Sequence, residues 1–110
     1  MSRAEFQLEM AAGDGLTEVT VKGEVDASNI VEFNRSVRDL PGDRPVVLQL
    51  SSVKYLDSAG FSALDRLLAD DEILIVLAPN SFMYRVAELM CMPIHHDTKA
   101  ARKALRNGAG

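Results

Sequence analysis

Apolar and polar residues alternate twice near the start of the chain. They do so through AEFQLEM (4–10), and again through LTEVTVKGEV (16–25), where Leu16, Val19 and Val21 mark the inward positions. A period of two is that of a half-exposed strand. Between the two segments AAGDG supplies Gly13 and Gly15, which can take positive φ, so the pair predicts a hairpin with the first strand at the sheet edge. The period then changes. Ile30, Phe33, Val37 and Leu40 recur at spacings of three and four, one apolar face of a helix, and Asp26 and Ser28 ahead of them are candidate N-caps. PGDRP (41–45) stops that helix, because proline cannot continue it and glycine suits its end.

VVLQL (46–50) and EILIVLA (72–78) do not alternate. Continuous apolar runs rich in β-branched residues predict central strands buried on both faces. Each run leads to a helical pattern. SSVKYLDS precedes a helix with Phe61, Leu64, Leu67 and Leu68 inward. PNSFMYRVAELM supplies another, with Asn80 or Ser81 as cap and Met83, Val86, Ala87 and Met90 as the buried face. MPIHH is a short extended piece, DTKAARKALRN a last helix capped by Asp97 or Thr98, and the terminal GAG is expected to fray. Strands alternating with helices behind a hairpin predict an α/β fold: a mixed sheet with about four helices packed on it. With 110 residues, no internal repeat and no low-complexity linker, residues 1–110 are expected to form a single domain.

Charge and composition narrow the classes of function. Twelve basic residues stand against 16 acidic ones, a net charge of −4. Arg35, Arg38, Arg44, Arg85, Arg102, Lys103 and Arg106 are dispersed, with no basic stripe to displace counterions from phosphates, which argues against direct nucleic-acid binding. The longest apolar run, ILIVLA, is far short of the ~20 residues of a spanning helix, and MSRAEFQLEM has no apolar signal core. The expectation is a cytoplasmic protein without membrane insertion. Cys91 is the only cysteine, so no internal disulfide can form, and without an activating neighbour it reads as packing.

The stretch with the most chemistry is YLDSAG (55–60), at a strand-to-helix junction. Asp57 and Ser58 are both good N-caps, and a cap alone would account for either. One cap would suffice, however, and small Ala59 and Gly60 leave the Ser58 hydroxyl accessible. A helix N-terminus also accommodates a phosphate, since its free N–H groups and dipole favour negative charge. Phosphoserine there adds about −1.5 to −2 charges, which a facing partner surface would feel. VKGEVD (21–26) reads as a glycine-assisted bend with an Asp cap, or as an acidic rim beside the Ser58 loop if both strand ends share one sheet edge. His95 and His96 point to opposite faces of an extended segment and lack a Cys or second His cluster, so no metal site is expected. Met83, Met90 and Met92, with Phe82 and Cys91, read as core filling; the other use is a partner-facing patch around Phe61, Phe82 and Met83. The chain has no G-x-S-x-G elbow, phosphate loop, H-E-x-x-H or G-x-G-x-x-G, so neither an enzyme nor a cofactor is expected.

Taken together, VKGEVDASN (21–29), VVLQLSSVKYLDSAGFSAL (46–64) and MYRVAELMCMPIHHDTKAARKAL (83–105) resemble the STAS domain, a family named for sulfate transporters and anti-sigma-factor antagonists. The resemblance covers almost the whole chain, and it rests on D-S-x-G between strand and helix with G-E-x-D upstream. It implies a mixed-sheet, four-helix regulator without enzymatic activity. In stand-alone bacterial members the serine of D-S-x-G is phosphorylated by a partner kinase that is itself the anti-sigma factor. Here that residue is Ser58, beside Asp57, and Asp26 matches the aspartate of G-E-x-D. The unphosphorylated form binds the anti-sigma factor and frees sigma; the phosphorylated form lets go, and a serine phosphatase resets it. The implied contact surface comprises Asp26, Ser28, Asn29, Asp57, Ser58, Ala59, Gly60, Phe61 and Ser62. Departures are Gln49 where the family often has Asp, Met92 near an expected glycine, and the short connection LADDE (68–72). The same fold also serves as a constitutive subunit of another complex, an ABC-type lipid transporter or a stress-signalling scaffold, and a third use would be nucleotide sensing at the strand ends.

Overall fold

The computed structural model describes residues 4–13, 15–69 and 72–108. The two alternating segments pair as expected. β1 (Phe6–Gly13) runs antiparallel to β2 (Leu16–Val25), in register from Phe6↔Gly23 to Gly13↔Leu16, with Gly15 in the turn at φ +79°. β2 is the spine of the sheet. Its first half pairs in parallel with β3 (Val46–Gln49), Thr17 opposite Val46, and its end pairs in parallel with β4 (Val53–Leu56), Val25 opposite Leu56. β5 (Ile73–Val76) closes the other side against β3, also in parallel. The result is a five-stranded mixed sheet.

Among the described residues four helices are interleaved with or follow these strands: α1 (Ile30–Arg38), α2 (Ser58–Leu68), α3 (Phe82–Leu89) and α4 (Thr98–Gly108). The main core joins Val19, Val21 and Val25 of β2 with Phe33 and Val37 of α1, Leu64 and Leu67 of α2, and Ala87 of α3. α4 covers the opposite face, where Ala101 and Leu105 pack on Leu16, Val47, Leu74 and Val76. This two-sided cover is the physical reason that β3 and β5 read as nearly all apolar. An Arg102–Glu18 ion pair fastens α4 to β2 (Arg102 Nε to Glu18 Oε1, 3.0 Å).

Several local expectations are corrected. SSVKYLDS leads into α2 as expected, but it also contains a strand, β4. Gln49 Oε1 accepts from the Ser51 N–H (2.8 Å) and the Leu50 carbonyl from the Val53 N–H (3.1 Å), so a tight turn separates two strands that both line β2. Neither Asp26 nor Ser28 caps α1. Asn29 stands at the N-cap position and makes no capping bond, because the loop uses these side chains internally. Ser81 caps α3, accepting from the Tyr84 N–H at 3.1 Å, and Asp97 bonds the Ala100 N–H at 2.6 Å at the start of α4. In the methionine cluster Met92 is buried and Met83 half-buried, but Phe82, Met90 and Cys91 are exposed rather than core filling. α3 ends at Leu89, and Cys91 takes φ +56°, the left-handed turn that follows a helix end. Of the GAG tail, Gly108 lies within α4 and the rest falls outside the described residues, as do Asp14 of the first turn and Asp70 and Asp71 of LADDE.

Candidate functional site

Because β2 and β4 are parallel and end together at Val25 and Leu56, the residues after them emerge side by side. The G-E-x-D aspartate and the D-S-x-G loop thus share one sheet edge, as the acidic-rim reading requires. The Asp57 N–H donates to the Val25 carbonyl (3.4 Å). Asp57 then spends its two carboxylate oxygens differently. Oδ1 caps α2 by accepting from the Gly60 N–H (2.8 Å), and Oδ2 accepts from the Ala27 N–H (3.2 Å) across 30 residues of sequence.

The loop facing it is closed by its own side chains. Asp26 Oδ1 accepts from the Ser28 N–H (2.8 Å) and from the Ser28 hydroxyl (2.5 Å). The Asp26 N–H donates to Asn29 Oδ1 (3.0 Å). Asn29 is only 4% exposed, and its Nδ2 donates to the carbonyls of Ala4 (3.0 Å) and Glu24 (2.9 Å). A buried amide needs such partners, and here it ties the entry of β1 to the end of β2. The Ser28 hydroxyl bond, then the Ser28 amide, with a smaller push from the Asn29 amide, hold the Asp26 carboxyl below its ordinary 3.8 against a modest desolvation effect. Asp26 is therefore an anion at neutral pH.

Ser58 is the first residue of α2 and is exposed; Ser28 and Ser62 are exposed too, while Asp26, Asp57 and Ala59 are half-buried. Asn29, Gly60 and Phe61 lie beneath this surface rather than on it. Gly60 packs so closely that a Cβ there would sit 2.4 Å from Leu56 Cδ1 and 3.1 Å from the Val25 carbonyl oxygen. Phe61, 5% exposed, anchors α2 in the core. Ser58 and Ser62 also border a shallow, largely apolar groove of about 330 Å³ whose other walls are Leu56, Phe61, Phe82, Val86 and Met90. Phe82 is 77% exposed and Leu89 84%. Sequence reasoning put Val86 and Met90 on the inward face of α3 and passed over Leu89. The available signal was a second stripe, Phe82, Val86, Leu89 and Met90, at helical spacing.

The histidines are elsewhere. The backbone of His95 continues the edge of β5, its N–H on the Ile75 carbonyl (2.9 Å) and its carbonyl accepting from Leu77 (3.0 Å). Burial, and the neighbouring His96, push the His95 imidazole below its ordinary 6.5. His96 Nε2 lies 3.5 Å from Asp97 Oδ2. Among the described residues no group of three or more His, Cys, Asp or Glu could hold a metal ion, and no helix is long and apolar enough to cross a membrane.

Residues 7–77, from β1 through β5, match the STAS domain family. The chain belongs to that family. The matched span contains both loops of the site and leaves α3 and α4 beyond it. The fold likeness reaches further. A crystal structure of an anti-sigma factor antagonist from Mycobacterium paratuberculosis superposes on this STAS domain with a TM-score of 0.72, covering 93% of this chain and 95% of that one at 24% identity. Osmosensory protein A of Mycobacterium tuberculosis (strain ATCC 25618 / H37Rv) is 41% identical over 49 residues, which is 44% of this chain and 31% of that protein. The matched stretch thus spans about a third of that relative's length.

Proposed function

We propose that this STAS domain is an anti-sigma-factor antagonist, a non-enzymatic cytoplasmic module that binds an anti-sigma factor with a serine-kinase fold and is released when that kinase phosphorylates Ser58. The observation that carries the reading is the setting of Ser58: an exposed hydroxyl at a helix N-terminus, flanked by Asp57 and the Asp26 loop, on the wall of an apolar groove. The hydroxyl is open to a partner's active site. A phosphate placed on it gains from the helix N-terminus while setting about two further negative charges beside two carboxylates. Its own fold tolerates the charge; a partner packed on the groove does not. Ser28, Asp26, Asp57 and Ser62 form the polar side of the contact, Ala59, Phe82 and Met90 its apolar side. A serine phosphatase would restore the binding form.

The test is retention of partners from a lysate of the native organism by immobilised wild type, Ser58→Ala and Ser58→Asp. The expected result is a serine-kinase-fold protein held by wild type and the Ala variant and lost by the Asp variant. Equal retention by both variants contradicts the switch. A second reading has its own support. The relative named for osmosensing and the exposed apolar stripe of α3 both suit a constitutive subunit of a stress-signalling scaffold or a lipid-transporter ATPase. Such a partner, held equally by all three proteins, would favour it.

A further inference from the structure

The Asp57 carboxylate does more than capping demands. An N-cap needs one acceptor, and Oδ1 on the Gly60 N–H supplies it. Oδ2 reaches the Ala27 N–H in a different loop. That loop already has its own internal closure, through Asp26 with Ser28 and Asn29 with the Asp26 amide, so it behaves as a small rigid piece. The bond from Ala27 fixes how this piece sits against the start of α2.

We propose that Asp57 is a positioning residue: through Oδ2 it latches the 26–28 loop to α2, so that Ser58 is offered on one preformed surface built from both loops. The proposal rests on Ser58 being the phosphoacceptor. It follows from the arithmetic of the carboxylate. Two acceptor oxygens serve two different segments, and parallel strands that end in register deliver those segments to the same place. Without the latch the loop keeps its internal shape and its Asn29 tie to Ala4 and Glu24, but loses the bond that holds its Ala27 corner against the start of α2. A partner then has to order it on binding, which weakens recognition without altering the hydroxyl.

Two substitutions separate the latch from the cap. In Asp57→Asn the amide oxygen still accepts from Gly60, since Asn and Asp cap equally well, while the amide nitrogen cannot accept from Ala27. Asp57→Ser keeps a capping oxygen and has no second arm. Both are compared with wild type by amide hydrogen exchange and by the initial rate of phosphate incorporation at Ser58, in native lysate with ATP, over a range of substrate concentrations. The expected result is faster exchange at the Ala27 amide with the Gly60 amide still protected. The apparent KM should rise at least tenfold in both variants, with little change in kcat. That ratio should hold between about 0.05 and 0.3 M salt, because loss of a latch is not screened as loss of a charge is. Unchanged KM in variants whose Ala27 amide has been freed overturns the latch and leaves the phosphoacceptor reading intact. So does an Ala27 amide that exchanges no faster, or a KM effect that vanishes at the higher salt. Wild type that takes no phosphate at Ser58 while the kinase is shown to be active overturns both together.

Discussion

At the scale of single residues the site depends on side chains whose roles in folding and in recognition differ. Asn29 closes the polar segment VKGEVDASN and was expected on the contact surface, yet its amide is buried and joined to Ala4, Glu24 and Asp26, so it builds the loop from below. Ser28 and Ser58 stand above it and are exposed. Nothing in the local pattern of VKGEVDASN distinguishes these fates, because both depend on where the entry of β1 passes, some 25 residues away. Cys91 shows the same limit. Read alone it is a small apolar residue suited to a core, but it follows the end of α3 at φ +56° and is exposed. A left-handed conformation costs an L-residue about 1–2 kcal/mol, and glycine's extra chain entropy returns about half of that. Cys91→Gly is therefore expected to stabilise the fold by about 0.5–1 kcal/mol in urea denaturation.

At the scale of elements, legibility followed length and period. β1, β2 and the four helices were readable because each spans enough residues for a period to repeat, and β3 and β5 because burial on both faces leaves them almost entirely apolar, Gln49 at the end of β3 excepted. β4 was not readable. In Val53–Leu56 only Val53 is buried, Lys54 and Tyr55 are exposed, and pairing with β2 shifts register between Gly23 and Glu24. Four residues with a bulge show no period, and tertiary pairing alone makes them a strand. That missed strand matters most for the site, since it brings Asp57 beside Asp26. The YLDSAG motif itself was legible down to the choice of Asp57 or Ser58 as cap. The apolar stripe of α3 was hidden for the opposite reason. Val86 and Met90 also fit the inward spacing, and one short helix cannot reveal which of two apolar stripes meets the core.

At the scale of the whole molecule, the fold holds α1, α2 and α3 on one face and α4 on the other, and it brings the loops that follow β2 and β4 out side by side at one sheet edge. Its stability should respond to pH in two separate windows. His95 has a folded pKa below its ordinary 6.5, so the unfolded chain binds that proton more readily and stability falls as pH drops below 6.5. Asp26 has a folded pKa below 3.8, so its contribution is present above that value and is lost only as pH falls through the lower folded pKa. Urea midpoints should accordingly decline from pH 7.5 to 5.5, and His95→Gln should flatten that decline; an unchanged slope would show that His95 is not its source. Phosphorylation of Ser58 by a partner is read out most directly by incubating the protein with ATP and lysate of its own organism and mapping phosphate by mass spectrometry. Phosphate is expected on Ser58 of the wild type and at no such position in Ser58→Ala. Repeated absence of phosphate from Ser58, with the kinase shown to be active in the same lysate, would contradict that reading and return Ser58 to being the first residue of a helix and nothing more.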